Sequence, residues 1–402
     1  MLILHTADWH LGNTFHGHSR EAEHRHFLSW LLEQLRERQP DVLVVTGDVF
    51  DSANPPAAAE GMYYAFLSAA TAAVPGMHII VTSGNHDSGG RLEAPAPLLS
   101  AQGITVRGTL QHDEEDTPLY DRYIIPLTPR GAEEPEAVAF AVPYLRGADY
   151  DGGLTPEEGL RQFFEALHKR HRKSALKNLP VVVCAHYYAS GAEISGTDHS
   201  ERLVVGGQDQ VDADVAGEAA YVALGHIHKA QQVSRTTWYA GSALPMSFSE
   251  KHYRHGILAV DMEPEGMTRV ETIPYEPLRH LITIPEHGAA TTTEMFDAIA
   301  QLPRRGKKDD GMTWPYLEIK LHEEKPEPGL LHDVQEMLAD KAVHFCRIVR
   351  DTVTVTTPQK KTENIETLQT LTPLDMAQRI FRARYGDDMP EEMLSRLKKA
   401  LA

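Results

Sequence analysis

Asp8-Trp9-His10, Gly47-Asp48-Val49-Phe50-Asp51, Gly84-Asn85-His86-Asp87, the single His186 and Gly225-His226-Ile227-His228 follow one another along the chain, each after an apolar, strand-like run. Asp, His and Asn side chains in these numbers are donors that can hold two divalent cations side by side. Cations about 3.5–4 Å apart can clamp the attacking and leaving oxygens of a phosphate displacement. Such a pair needs at least one shared carboxylate to offset its charge. Neutral imidazole and amide ligands must complete it, so that the site stays positive toward phosphate. Along a strand, residues i and i+2 point to the same side, so Asp8 and His10 are expected to reach one cation together. His226 and His228 can do likewise or, if the loop turns, serve one cation each. A single cluster of this kind means little. Five in this order point to two-metal hydrolysis of phosphate esters.

The elements that must position these residues are short. Residues 2–7, 42–46, 78–83, 181–185 and 221–224 read as mostly apolar strands buried on both faces. Between the first two, residues 20–39 carry Phe27, Leu28, Leu31, Leu32 and Leu35 on one helical face. The next helix is expected to start with Asn54 as cap and Pro55-Pro56 in its first turn. Strand–helix–strand alternation implies an α/β sheet whose ligand-bearing loops gather beyond the strand ends. Trp9 is expected to pack the sheet edge, Asp87 to fix a loop, and Gly84 and Gly225 to allow tight turns. His24, His26, His168, His171 and His252 read as solvated or structural.

Past about residue 275 the pattern changes. Residues 281–284, 314–321 and 343–355 read as strands, with helices over 293–301 and 330–340 between them. This unit has no metal-type cluster, so residues 276–356 are expected to form a second, smaller domain after a 1–275 catalytic domain. Residues 357–371 read as a polar linker. Residues 372–402 read as a helical pair, with apolar stripes Leu374, Ala377, Phe381 and Met393, Leu397, Leu401 suited to docking a partner.

The 402 residues carry a formal net charge of −18, which argues against coating nucleic acid by bulk attraction, though not against an enzyme that cuts it. No apolar stretch is long enough to cross a bilayer, and the start of the chain lacks the features of a signal peptide. Cys184 and Cys346, the only cysteines, suit a reducing cytoplasm. Gly306-Lys307-Lys308 falls short of a phosphate-binding P-loop, so any ATP dependence must come from another subunit.

The motifs D-x-H, G-D-x-x-D, G-N-H-D and G-H-x-H, with one histidine before the last, resemble the calcineurin-like metallophosphoesterase superfamily. Residues 5–12, 19–24, 47–51, 223–231 and 241–248 further resemble the SbcD family, nuclease subunits of bacterial complexes that process DNA ends in repair, recombination and replication. The likeness is strong over about residues 1–275 and departs from the usual wording at Tyr187-Tyr188. It implies an α/β fold in which a metallophosphoesterase β-sandwich is flanked by helices (αββα), with a smaller α/β capping domain and C-terminal helices. It also implies that Asp8, His10 and His228 hold one metal, Asn85, His186 and His226 another, and Asp48 both. His86 would contact the scissile phosphate or protonate the leaving oxygen, and Asp51 would orient His86 or a metal-bound water. Two divalent ions, with Mn²⁺ favoured, an SbcC-like coiled-coil ATPase, DNA, and a homodimer within a heterotetramer are the implied cofactors and partners. The implied activity is a 3′→5′ exonuclease on duplex ends and an endonuclease on single strands and hairpins. Two other functions compete: a metallophosphoesterase acting on nucleotides or phosphoproteins, and a non-catalytic DNA-end adaptor.

Overall fold

The computed structural model describes residues 1–150, 152–194, 210–307, 309–322 and 329–351, together with Met393 and Leu394. The expected linker, nearly all of the helical pair, and the last residues of the expected 343–355 strand lie outside the described residues. The elements that matter for the site run β1 (Leu2–Thr6), α1 (Glu21–Arg38), β2 (Val42–Thr46), α2 (Ala57–Ala73), β3 (His78–Thr82) and β4 (Ile104–Arg107). They continue as β5 (Ile124–Leu127), β6 (Ala137–Ala141), α3 (Pro156–His171), β7 (Val181–His186), β8 (Tyr221–Gly225), β9 (Gln231–Gln232) and β10 (Thr237–Tyr239). After β11 (Gly256–Glu263) and β12 (Gly266–Pro274) come β13 (Leu281–Ile284), α4 (Thr292–Gln301), β14 (Tyr316–His322), α5 (Leu330–Leu338) and β15 (His344–Asp351).

Two six-stranded mixed sheets result, ordered β12-β11-β1-β2-β3-β4 and β9-β10-β8-β7-β6-β5. The strand pleat explains why they stack. On β2, Val42 and Val44 join a core shared with Ile125, Ala139, Val182, Cys184 and Tyr221 of the other sheet, while Leu43 and Val45 pack the opposite way with Phe27, Leu31 and Phe66 of α1 and α2. On β7, Val181, Val183 and Ala185 face Phe163 and Phe164 of α3. The layers are therefore helix, sheet, sheet, helix, the arrangement the family resemblance implies. His5 ties the two sheets together, with Nδ1 2.9 Å from the Tyr221 hydroxyl and Nε2 3.0 Å from Thr46 Oγ1. Burial pushes its pKa down to about 3, so it crosses the core as a neutral ring.

Two local expectations fail. Trp9 is not at a sheet edge; it lies in the core against Phe27, Tyr63 and Phe66, its Nε1 donating to Thr6 Oγ1 at 2.8 Å. Nor does Asn54 cap α2. That helix begins after Pro56, and Asn54 Oδ1 accepts from Arg91 Nη2 at 3.0 Å instead. Two consecutive prolines hold the chain extended for longer than a single one at the first helical position would.

The later segment forms a third sheet, β13-β14-β15, parallel throughout and backed by α4 and α5, with its own apolar core around Met295, Ile299, Leu317, Ile319 and Val334. A buried polar cluster attaches it to α1. Glu23 on α1 accepts from Arg20 at 2.8 Å, from Arg279 at 3.3 Å and from the Tyr316 hydroxyl at 2.6 Å.

Candidate metal centre

Every strand that carries a cluster ends on the same side of the sandwich. Immediately past β1 the chain leaves the strand conformation: Asp8 has φ 51° and His10 has φ 46°. Their shared direction therefore comes from a left-handed loop and not from strand alternation, which corrects the expected geometry. Asp48 (φ 45°) and His226 (φ 101°) are also left-handed. Such backbone costs on the order of 1–3 kcal/mol per non-glycine residue and persists only where the surroundings enforce it. Here the loops hold one another: Asp8 N donates to Gly47 O at 3.1 Å and His10 N to Asp48 O at 3.0 Å, while His226 N donates to Asp8 Oδ1 at 3.0 Å.

Gly84 and Gly225 serve close approach, and no turn at either needs a positive φ. A Cβ on Gly84 would sit 2.1 Å from Asp48 Oδ1, and one on Gly225 would sit 1.9 Å from Thr46 O and 2.8 Å from His186 Nδ1. Asp87 fixes the loops, as expected, accepting from the backbone N–H groups of Gly84 at 2.9 Å, Phe50 at 2.9 Å and Val49 at 3.2 Å.

The ligand atoms gather into overlapping groups. Asp8, His10 and His228 form one, His10, Asp48 and His86 a second, and Asp8, Asp48 and His186 a third, the atoms of each lying within 4.8 Å of one another. Asn85 joins from the far side, its Oδ1 2.9 Å from His186 Nε2 and 3.0 Å from His226 Nδ1. Asp48 belongs to two of the groups and lies between the two histidine sets, with Oδ2 3.4 Å from His186 Nε2 and 3.8 Å from His10 Nε2.

Whether these residues fit metal is tested by what their nitrogens lack. His10 is buried, and neither ring nitrogen has a hydrogen-bond partner among the described residues. Unpaired buried imidazole is costly, and a cation would relieve it. His186 Nδ1 meets the Thr46 carbonyl at 3.0 Å, which sets its proton there and leaves Nε2 for a metal.

The charge balance agrees. Burial opposes the charge on Asp48, yet the facing His186 and His10 hold its carboxyl well below the usual carboxylate range. Burial also opposes charge on His186, but Asp48 and Asp8 lift its pKa to about 9. His226 is pushed down to about 3 by burial and by His186, so it stays neutral and able to ligate. Positive charge is thus favoured between Asp48 and its neighbours, and a divalent cation would supply it in place of a proton.

Two further residues are placed less simply than expected. His86 Nδ1 meets the backbone oxygen of Asp51 at 2.8 Å, so Asp51 orients that ring through its carbonyl. The Asp51 carboxylate accepts from Asn13 at 2.8 Å and faces His10 Nδ1 at 3.6 Å. Glu250 carries no signal of this kind in the sequence. It is buried, with Oε1 3.2 Å from His228 Nδ1 and Oε2 accepting from Met246 N at 2.8 Å, and so turns His228 Nε2 toward the site. His24, also buried, is pushed down to about 3 by burial and by Arg20.

Residues 1–230 match the family model described as calcineurin-like phosphoesterase, and residues 277–385 match one described as type 5 capsule protein repressor C-terminal domain. The chain is 38% identical over 339 residues to the SbcD subunit of the nuclease SbcCD from Rhodobacter capsulatus, covering 81% of each. It is 30% identical over 355 residues to the SbcD of Escherichia coli K12, covering 84% of this chain and 81% of the relative. With the SbcD of Bacillus subtilis the identity is 36% over 277 residues, covering 66% of this chain and 67% of the relative.

Proposed function

The chain belongs to the calcineurin-like phosphoesterase superfamily and, within it, to the SbcD family of nuclease subunits, and from that membership we propose that it cleaves DNA phosphodiesters at a two-metal centre. The observation that carries this reading is the gathering of Asp8, His10, Asp48, His186 and His228 into overlapping groups of ligand atoms, with Asn85 beside His186 and His226 at their edge. Asp8, His10 and His228 hold one cation, Asn85, His186 and His226 the other, and Asp48 both. Bound there, such a pair activates water and offsets charge on the phosphate. Mixed carboxylate, imidazole and amide donors suit Mn²⁺, Fe²⁺ or Zn²⁺, and the family likeness makes Mn²⁺ the proposed ion.

His86 works on the phosphate and not on a metal. In its imidazolium form Nδ1 donates to the Asp51 carbonyl while Nε2 donates to the leaving oxygen. Asp87 and Glu250 keep the loops and His228 in register, so that ligand geometry survives turnover.

The substrates are duplex ends, cut 3′→5′, and single strands or hairpins, cut internally. Residues 1–275 form the catalytic domain, 276–356 the capping domain, and 372–402 the segment that docks an SbcC-like coiled-coil ATPase, which supplies the ATP dependence. The assembly is a dimer of this chain within a heterotetramer, in the cytoplasm. Among the described residues no helix is long and apolar enough to cross a membrane. The test is cleavage of end-labelled hairpin DNA with and without Mn²⁺, beside a small aryl phosphate ester. Mn²⁺-dependent opening of the hairpin is expected. Hydrolysis of the ester alone would move the reading to nucleotides or phosphoproteins.

A further inference from the structure

Tyr188 lines a cavity of about 440 Å³ that opens beside Asn85, His186 and His226. Tyr144, Leu145, Tyr150 and Leu160 form other walls, and Arg146 lies on its rim. Two of the aromatic rings stand directly beyond the histidines of the second cation. Tyr144 meets His186 edge-on with ring centroids 6.0 Å apart, and Tyr188 lies 6.2 Å from His226 at an interplanar angle of 44°. The Arg146 guanidinium carbon sits 5.5 Å from the centre of the Tyr144 ring, and its Nη2 donates to the backbone oxygens of Asp87 at 3.3 Å and Asn85 at 3.5 Å.

This wall is built by packing. Tyr150 lies flush on α3, where a Cβ on Gly159 would come within 2.1 Å of its Cδ1, and its hydroxyl donates to Leu145 O at 3.3 Å. The cavity therefore combines aromatic faces, a guanidinium at its rim and apolar sides, all starting at the edge of the metal centre.

We propose that this cavity is a nucleobase subsite, taking the unpaired base of the nucleotide whose phosphate lies at Asn85, His186 and His226, with Tyr188 as a principal stacking partner. Its size is that of a pocket for a small ligand, roughly 300–1,000 Å³. Aromatic side chains stack on any base, so such a subsite accepts all sequences. A paired base within a duplex cannot enter without leaving its stack, so the subsite favours single strands, hairpin loops and frayed ends. Arg146, held to the loop of Asn85 and Asp87, keeps a cation near the nucleotide's outer phosphate. The proposal rests on the nuclease reading above and adds to it the part of the substrate that is recognised.

The test reads binding to the full chain without turnover. The probe is 2-aminopurine deoxyribonucleoside 5′-monophosphate, whose fluorescence falls when its base stacks. Saturable quenching is expected with the unaltered protein, with affinity about tenfold lower or worse in Tyr188→Ala and retained in Tyr188→Phe. Equal affinity in Tyr188→Ala and the unaltered protein would overturn the proposal. A second measurement places one abasic residue in a single-stranded oligonucleotide. Cleavage at the phosphate next to it should be about tenfold slower or worse than elsewhere, and Tyr188→Ala should erase that difference. No discrimination by the unaltered protein would also overturn it. Failure to cut any DNA would count against the nuclease reading, and mononucleotide binding would still decide the subsite.

Discussion

Asp48 and His86 are about as close as two residues of one site can be, since the His86 backbone N–H donates to Asp48 Oδ1 at 2.8 Å, yet their proposed roles differ. One offsets charge on both metals; the other moves a proton. His86→Ala should therefore leave both metals bound while turnover falls by roughly 10²–10⁴-fold, the usual scale for lost acid–base help. Metal analysis beside kcat checks this, and loss of a metal would make His86 a ligand. The donors themselves are legible in the sequence because their residue types and order are rare together. Glu250 is not, because nothing in its own neighbourhood marks it. It becomes visible only when the chain places its carboxylate 3.2 Å from His228. The left-handed backbone at Asp8 and His10 is equally hidden, since an apolar strand running into them reads as continuing strand.

Among the elements, α1 does more than cover a sheet. Its apolar face packs on β1 and β2, while Glu23 reaches the other way to join Arg20, Arg279 and Tyr316 beneath β14. The periodicity of Phe27, Leu31 and Leu35 is readable in advance; the buried polar attachment is not, because Glu23 and Tyr316 lie 293 residues apart in sequence. Tyr316→Phe removes the hydroxyl that donates to Glu23 and accepts from Arg279 Nη1 at 2.9 Å. Leaving these buried charged groups short of a partner should cost about 1–3 kcal/mol. Chemical denaturation should show the midpoint falling, with Mn²⁺-dependent cleavage retained under native conditions. An unchanged midpoint would show that the hydroxyl contributes nothing to the attachment. The start of α2 escapes the sequence for a related reason: Asn54 is a good cap in isolation, but Arg91 takes its side chain.

At the scale of the molecule, a chain of net charge −18 is proposed to handle DNA, so positive charge must be concentrated where the phosphate binds. Two bound metals would supply it, and a partner can supply more. A chain ending at Leu371 keeps every proposed ligand and removes both apolar stripes of the C-terminal segment. Burying one such side chain is worth about 1.5–3 kcal/mol, so pull-down of the ATPase partner should weaken strongly while Mn²⁺-dependent cleavage of single strands survives. Loss of that basal cleavage on truncation would show that the segment supports the catalytic body instead. The central claim is two metals held by one shared carboxylate, and metal content measured by mass spectrometry tests it most directly. The unaltered protein, loaded with Mn²⁺ and desalted, should retain about two ions per chain, and Asp48→Ala about one or none, with cleavage abolished. Two tightly held ions in Asp48→Ala would contradict the account.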